Sequence, residues 1–213
     1  KTLLIIAATT LGVATTALAQ TAPGSMPTTT VTTDAPPTAA RYGLLGERYA
    51  GVDYGYTHIH NSYLDNLNGF DFRYNQPMEP GFDFSLGYDW ARSNEYGNVR
   101  AREEQATASV TAFTDFKGMR AFIEPGVGWT WSKTGASASD SFLWFVGTGV
   151  EFQVMPRWVV TPYVRFDDAT SHNRTSWNFG IKSAYRLTKS WGLNVDLTTD
   201  DDNNSGYTAG VNY

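Results

Sequence analysis

From Ala50 onward, apolar and polar residues alternate with a period of two, which is the pattern of strands that have one apolar and one polar face. In the first stretch Ala50, Val52, Tyr54 and Tyr56 fall on one face, and Gly51, Asp53, Gly55 and Thr57 on the other. A short second stretch sets Phe70, Phe72 and Tyr74 against Asp71, Arg73 and Asn75. The third is the clearest, with Phe82, Phe84, Leu86, Tyr88 and Trp90 alternating with Asp83, Ser85, Gly87 and Asp89. Ala106 to Ala112 form a weaker fourth, and Ile123 to Trp131 a fifth, in which Pro125 removes a ladder donor and predicts a local irregularity or bulge. Phe142–Phe152, Val160–Phe166, Trp177–Tyr185, Leu193–Leu197 and Tyr207–Tyr213 complete ten.

The connections alternate in kind. Asn75–Pro80, Lys117–Arg120, Met155–Arg157 and Leu187–Ser190 read as tight turns, whereas His58–Asn66, Arg92–Arg100, Ser132–Asp140, Asp168–Arg174 and Asp200–Ser205 read as longer polar loops. Strands of about 9–11 residues suffice to cross a bilayer, and only a closed sheet satisfies every backbone group there. The expected fold is therefore all-β, a closed antiparallel up-and-down transmembrane β-barrel of ten strands, with eight as the alternative count. An even number returns both ends to one side, the side of the short turns, which is periplasmic in such barrels.

Composition sharpens this picture. Aromatics make up 15% of the chain, with seven Trp and twelve Tyr, and they gather at strand ends. Phe82, Phe152, Trp158, Tyr185, Trp191 and Tyr213 lie beside the short turns; Tyr56, Trp90, Trp131, Phe142, Trp144, Phe166 and Trp177 lie beside the longer loops. Two belts flanking a zone of Val, Ala, Leu and Ile suit the two headgroup levels of a bilayer. A soluble exported β-sandwich shares the alternation, but it does not call for rings at both strand ends.

The first residues add a compartment. Lys1, the small and apolar run Thr2–Ala14, and Ala17-Leu18-Ala19 predict a signal peptide over residues 1–19. Residues 20–46, opening with a Thr/Pro/Ala-rich stretch, predict a periplasmic linker, with the barrel over 47–213. Zero Cys leaves an exported chain without disulfides, and a net charge of −5 disfavours nucleic acid as a partner.

From about residue 47 to 213 the chain resembles the small outer-membrane β-barrel superfamily, of the opacity-type and OmpA-like transmembrane-domain kind. The most specific part is Tyr207-Thr208-Ala209-Gly210-Val211-Asn212-Tyr213. In that superfamily a final strand of alternating apolar residues with a terminal aromatic is the signal read by the barrel-assembly machinery. The resemblance implies that machinery as a partner in biogenesis, with Tyr207, Ala209, Gly210, Val211 and Tyr213 as the signal. Tyr in place of the commoner Phe is a departure. Outer-membrane lipid and lipopolysaccharide are the other expected partners.

The inward parity carries Asp53, Asp71, Asp83, Asp89, Glu124, Glu151, Asp167 and Asp196 with Arg73, Arg165, Lys182 and Arg186. Such a set either pairs across the lumen and plugs it or lines a wet passage, which would prefer cations because carboxylates are in excess. Inward glycines fit both readings, by opening the lumen or by relieving crowding. The expected function is an envelope-structural barrel with a narrow, porin-like passive channel, and the alternative is surface recognition or adhesion through extracellular loops. Catalytic parts are poor: His58, His60 and Ser62, with Asp167, Asp168 and His172, lack an acidic third member at matching depth. Asp200–Gly206 departs from a calcium loop at Ser205 and Val211. No cofactor motif, phosphate loop or zinc spacing appears, and no enzymatic activity is expected.

Overall fold

A computed structural model describes residues 43–60, 66–94, 100–116, 118–170 and 174–213. The expected signal peptide and most of the linker, residues 1–42, lie outside these described residues. Ten strands form: β1 (Tyr49–His58), β2 (Asn66–Glu79), β3 (Phe82–Ser93), β4 (Ala101–Phe116), β5 (Met119–Thr134), β6 (Ser137–Met155), β7 (Trp158–Ala169), β8 (Arg174–Arg186), β9 (Gly192–Asp200) and β10 (Ser205–Asn212). Each pairs antiparallel with its sequence neighbour, and β1 pairs with β10, so the sheet is a closed barrel. The seam runs from His58–Ser205 to Gly51–Asn212, and Ala50 and Tyr213 then exchange two backbone hydrogen bonds of 2.8 Å. Both ends of the barrel chain therefore lie on the short-turn rim.

The parity read from the sequence is the parity of the wall. Val52, Phe72, Leu86, Val127, Phe179, Ile181, Val195 and Leu197 are exposed on the outside, whereas Asp53, Asn75, Asp83, Ser109, Glu151, Asn194 and Asp196 are buried on the inside. This inverts the arrangement of a soluble domain, and only an apolar surrounding stabilises it. Every ring named for the two belts has the outward parity. Near the loop side Phe166 packs on Trp144 and Trp177, with centroids 5.4 and 5.0 Å apart; at the short-turn rim Trp191 packs on Tyr213 at 5.0 Å. Between the belts the zone is less purely aliphatic than the sequence suggests, since β1 and β2 contribute Tyr54, Phe70 and Phe72.

Two local expectations are corrected and a third is narrowed. Ser132–Asp140 is no loop: β5 and β6 continue through it to a turn at residues 135–136, where Gly135 takes φ 60°. Polar residues there reflect strands that have left the apolar zone, and a left-handed glycine allows the reversal. Asn75–Pro80 is mostly strand, because β2 runs to Glu79 with a register shift between Pro77 and Glu79. At Pro125 the irregularity takes the form of missing rungs and not of a bulge: the β4–β5 ladder is interrupted between Ser109–Gly126 and Ala112–Ile123, on unchanged register. Pro162 leaves the same gap between Gly149–Tyr163 and Phe152–Val160. A missing N–H costs one rung, and the rest of a long ladder holds the alignment.

Leu86 lies midway along β3 between Phe82 and Trp90, facing outward. Leu86→Arg is expected to destabilise the barrel in lipid by about 2–4 kcal/mol. Gln105→Arg, inward and opposite Asp89, should cost much less. Urea unfolding in vesicles measures both, and equal costs would refute the assigned faces.

Candidate functional site

The lumen is where the charged residues converge, and a segment of the chain itself lies across its short-turn mouth. Residues 43–48 precede β1 and reach across the barrel opening. The Leu44 amide donates to Glu151 Oε2 on β6 at 2.9 Å, and the Gly46 amide donates to Asp83 Oδ2 on β3 at 2.7 Å. Arg120 on β5 donates to the Leu45 carbonyl, and Asn75 on β2 donates to the Glu47 carbonyl at 2.8 Å. Glu47 pairs with Arg186 on β8 at 3.6 Å, while Leu44 packs on buried Val159 and Ala184 of β7 and β8. Six strands therefore hold one short segment. Gly46 permits this course, because its φ of 77° is a conformation that side chains disfavour. Gly43–Gly46, grouped with the linker by composition, thus sit in the barrel mouth.

Asp83 and Glu151 are each 1% exposed. Burying a carboxylate is costly unless donors surround it, and backbone amides of the inserted segment supply part of that compensation, Asn75 adding a bond of 3.1 Å to Asp83. Removing the segment would take one amide donor from each of these buried acids, so wall and segment are mutually dependent.

Above this floor the lumen is lined by pairs. Arg73 bridges Asp71 at 3.0 Å, Arg165 bridges Asp167 at 2.6 Å, and Lys182 lies 3.7 Å from Asp196. Arg165 also lies over the Phe145 ring, 3.8 Å from its centroid, and Asn178 donates to Asp167 at 2.7 Å. Asp53 accepts from Asn194 at 2.7 Å, Glu124 from Ser109 at 2.7 Å, and Asp196 from the Tyr163 hydroxyl at 3.0 Å. A cavity of about 170 Å³ remains, floored by Leu44 and Leu45 and walled by Asp71, Arg73, Asp89, Glu124, Arg165 and Lys182 among others. Asp53, Asp89 and Glu124 take no part in these ion pairs, so carboxylates outnumber bases in the lumen.

Inward glycines make room for side chains across the ladder. A Cβ on Gly149 would strike the Phe122 ring, one on Gly126 the Phe145 ring, and one on Gly180 the Tyr163 ring. Each ring sits opposite its glycine in register. The missing side chains are replaced by rings that fill the lumen, a device that also stiffens a curved sheet. Phe145 and Tyr163 read as inward from the sequence pattern, and Phe122 shares that parity, but only the register shows each ring filling the place of a glycine side chain.

Comparison with known proteins gives distant likenesses only. No protein-family model matches the chain, and no curated protein sequence matches it. Among solved structures it is similar to Neisserial surface protein A at 16% identity, covering 78% of this chain and 95% of that one, with a TM-score of 0.44. It is also similar to the translocator domain of the autotransporter NalP from Neisseria meningitidis (8% identity, 78% and 87% covered, TM-score 0.49). The NanC porin is a third (10% identity, 76% and 98% covered, TM-score 0.47). Likeness at this level does not reach function.

Among the described residues the catalytic candidates are not brought together. His58 bonds Asn66 at 3.1 Å and the His60 amide bonds Asn204 at 2.8 Å, while Ser62 and His172 lie outside the described residues. In the acidic loop Asp200 accepts from Asp202 and Asn204 amides at 3.0 and 2.8 Å, so its carboxylate organises the turn. Among the described residues no group of three potential ligands is placed to hold a metal ion.

Gly180→Ala should displace the Tyr163 ring from its seat and weaken its bond to Asp196, costing about 1–3 kcal/mol. Denaturant unfolding checks this, and a neutral substitution would contradict the interlock.

Proposed function

We propose that the chain is an integral outer-membrane barrel with an envelope-structural role, whose lumen is closed at the periplasmic mouth by residues 43–48. The observation that carries the membrane part is a barrel with no free edge whose outer wall is apolar between two rings of aromatics. Such a wall is unstable in water and complete in lipid. In this reading β10 is the strand that assembly machinery recognises, with Tyr207, Ala209, Val211 and Tyr213 displayed outward beside the β1 seam.

A second reading, a narrow passive channel, is favoured by the cavity above the segment and by Asp89 and Glu124, which line it outside the ion pairs. With the segment seated, its backbone crosses the route, so conduction requires its withdrawal, and the passage would prefer cations. Recognition through the loop side has less support: β5 and β6 are joined by only two residues, and β9 and β10 by Asp201–Asn204.

Planar-bilayer recording tests the closed state. The whole chain is expected to insert and stay silent, while Asp83→Ala with Glu151→Ala, which removes both carboxylates that accept from the segment's amides, should produce steady cation-selective currents. Insertion is checked separately by a gel shift between unheated and boiled protein. Steady conductance by the unaltered chain, unchanged in the variant, would overturn the closed reading.

A further inference from the structure

The outward-facing cations of the strands are not scattered. Among the described side chains, the outward Lys and Arg of the barrel wall are Arg92, Arg102 and Lys133, and they stand in one row. Arg92 pairs in register with Arg102 across β3–β4, and Arg102 with Lys133 across β4–β5. Every other described Lys or Arg within the strands, Arg73, Arg120, Arg165, Lys182 and Arg186, has the inward parity.

The row lies one outward step beyond the loop-side belt. Directly below Arg92 and Lys133 on the same strands are Trp90 and Trp131, and the Arg92 guanidinium lies over the Trp90 ring at 5.6 Å from its centroid. The cations thus stand where the belt meets the polar headgroups. A groove of about 250 Å³ runs beside them, lined by Arg102, Trp131, Lys133 and Asp140 among others.

Like charges directly opposite in a ladder repel and destabilise the sheet unless something negative lies between them. The wall supplies little of it. Glu104 pairs with Arg102 at 2.6 Å and also accepts from the Tyr88 hydroxyl at 2.7 Å; Asp140 accepts from the Trp129 indole at 3.2 Å. Arg92 and Lys133 have no ion-pair partner among the described residues. Anions spaced along a surface at headgroup depth would complete the row, and phosphate oxygens suit guanidinium and ammonium donors.

We propose that Arg92, Arg102 and Lys133 form a binding site for the phosphate groups of lipopolysaccharide in the outer leaflet. The proposal rests on the outer-membrane reading and names the lipid that the wall meets at its loop-side rim. The sugar-borne phosphates bridge adjacent cations, Trp90 and Trp131 pack against the lipid below them, and bound lipid relieves the repulsion along β3–β5.

The test uses the full chain in neutral detergent, with native lipopolysaccharide and its phosphate-stripped form as probes. Binding is read from co-elution and from the temperature at which the folded gel band is lost. Native lipopolysaccharide should bind and raise that temperature, and the stripped form should do neither. R92Q/R102Q/K133Q should weaken binding on the order of a hundredfold, about fivefold per cation. Lys133→Gln alone should lose about fivefold, which keeps the test decisive if the triple variant assembles badly. Arg157→Gln with Lys189→Gln, at the opposite rim, should change nothing. Equal binding of native and stripped lipopolysaccharide, or unchanged binding by the variants, would overturn the site while leaving the barrel intact. Equally tight binding to phosphatidylglycerol micelles would overturn the assignment to lipopolysaccharide. An unaltered chain that shows no heat-dependent gel shift in any lipid would instead refute the outer-membrane reading.

Discussion

The rungs between β1 and β10 are the interaction on which everything else depends. Inside a bilayer no water is available to satisfy an N–H or a carbonyl, so an open edge along either strand would cost several kcal/mol per unpaired group. Closure from His58–Ser205 to Ala50–Tyr213 removes both edges together. Once the sheet is closed, the pleat dictates that alternate side chains face lipid and lumen, and the two chemistries follow from that geometry alone.

The lumen has to be filled with what the pleat sends inward. Polar side chains placed there are desolvated, so they are stable only when they satisfy one another. The Arg73–Asp71, Arg165–Asp167 and Lys182–Asp196 pairs do so in the middle, and rings set over Gly126, Gly149 and Gly180 occupy what ion pairs leave. At the short-turn mouth the wall alone is insufficient. Asp83 and Glu151 look to the backbone of residues 43–48 for donors, and this ties the segment's seating to the burial of two acids.

Much of this was legible in the sequence, for a physical reason. Period-two alternation is imposed by the two environments across the wall, so strand number, face and the aromatic belts could be read residue by residue, most clearly over Phe82–Trp90. The reading failed where polarity and structure part company. Ser132–Asp140 is polar because it lies beyond the apolar zone, and composition alone does not separate a strand in water from a loop. The function of Gly43–Gly46 was hidden for a related reason, since its contacts run mainly through backbone atoms that any residue carries; Leu44-Leu45 between two glycines was the sole cue. Likewise, the glycine and ring partners become visible only when register places Gly149 opposite Phe122 and Gly180 opposite Tyr163.

The chain has no cysteine, so single thiols for spin labelling can be placed at will along β3. Labels at each position from Phe82 to Trp90, in lipid vesicles, would be read for relaxation by oxygen and by a water-soluble nickel complex. The account predicts a strict two-residue alternation, with the highest oxygen accessibility at Leu86 and little at Ser85 or Gly87. Uniform accessibility along β3, or strong relaxation of a label at Leu86 by the nickel complex, would contradict a closed barrel that spans the membrane.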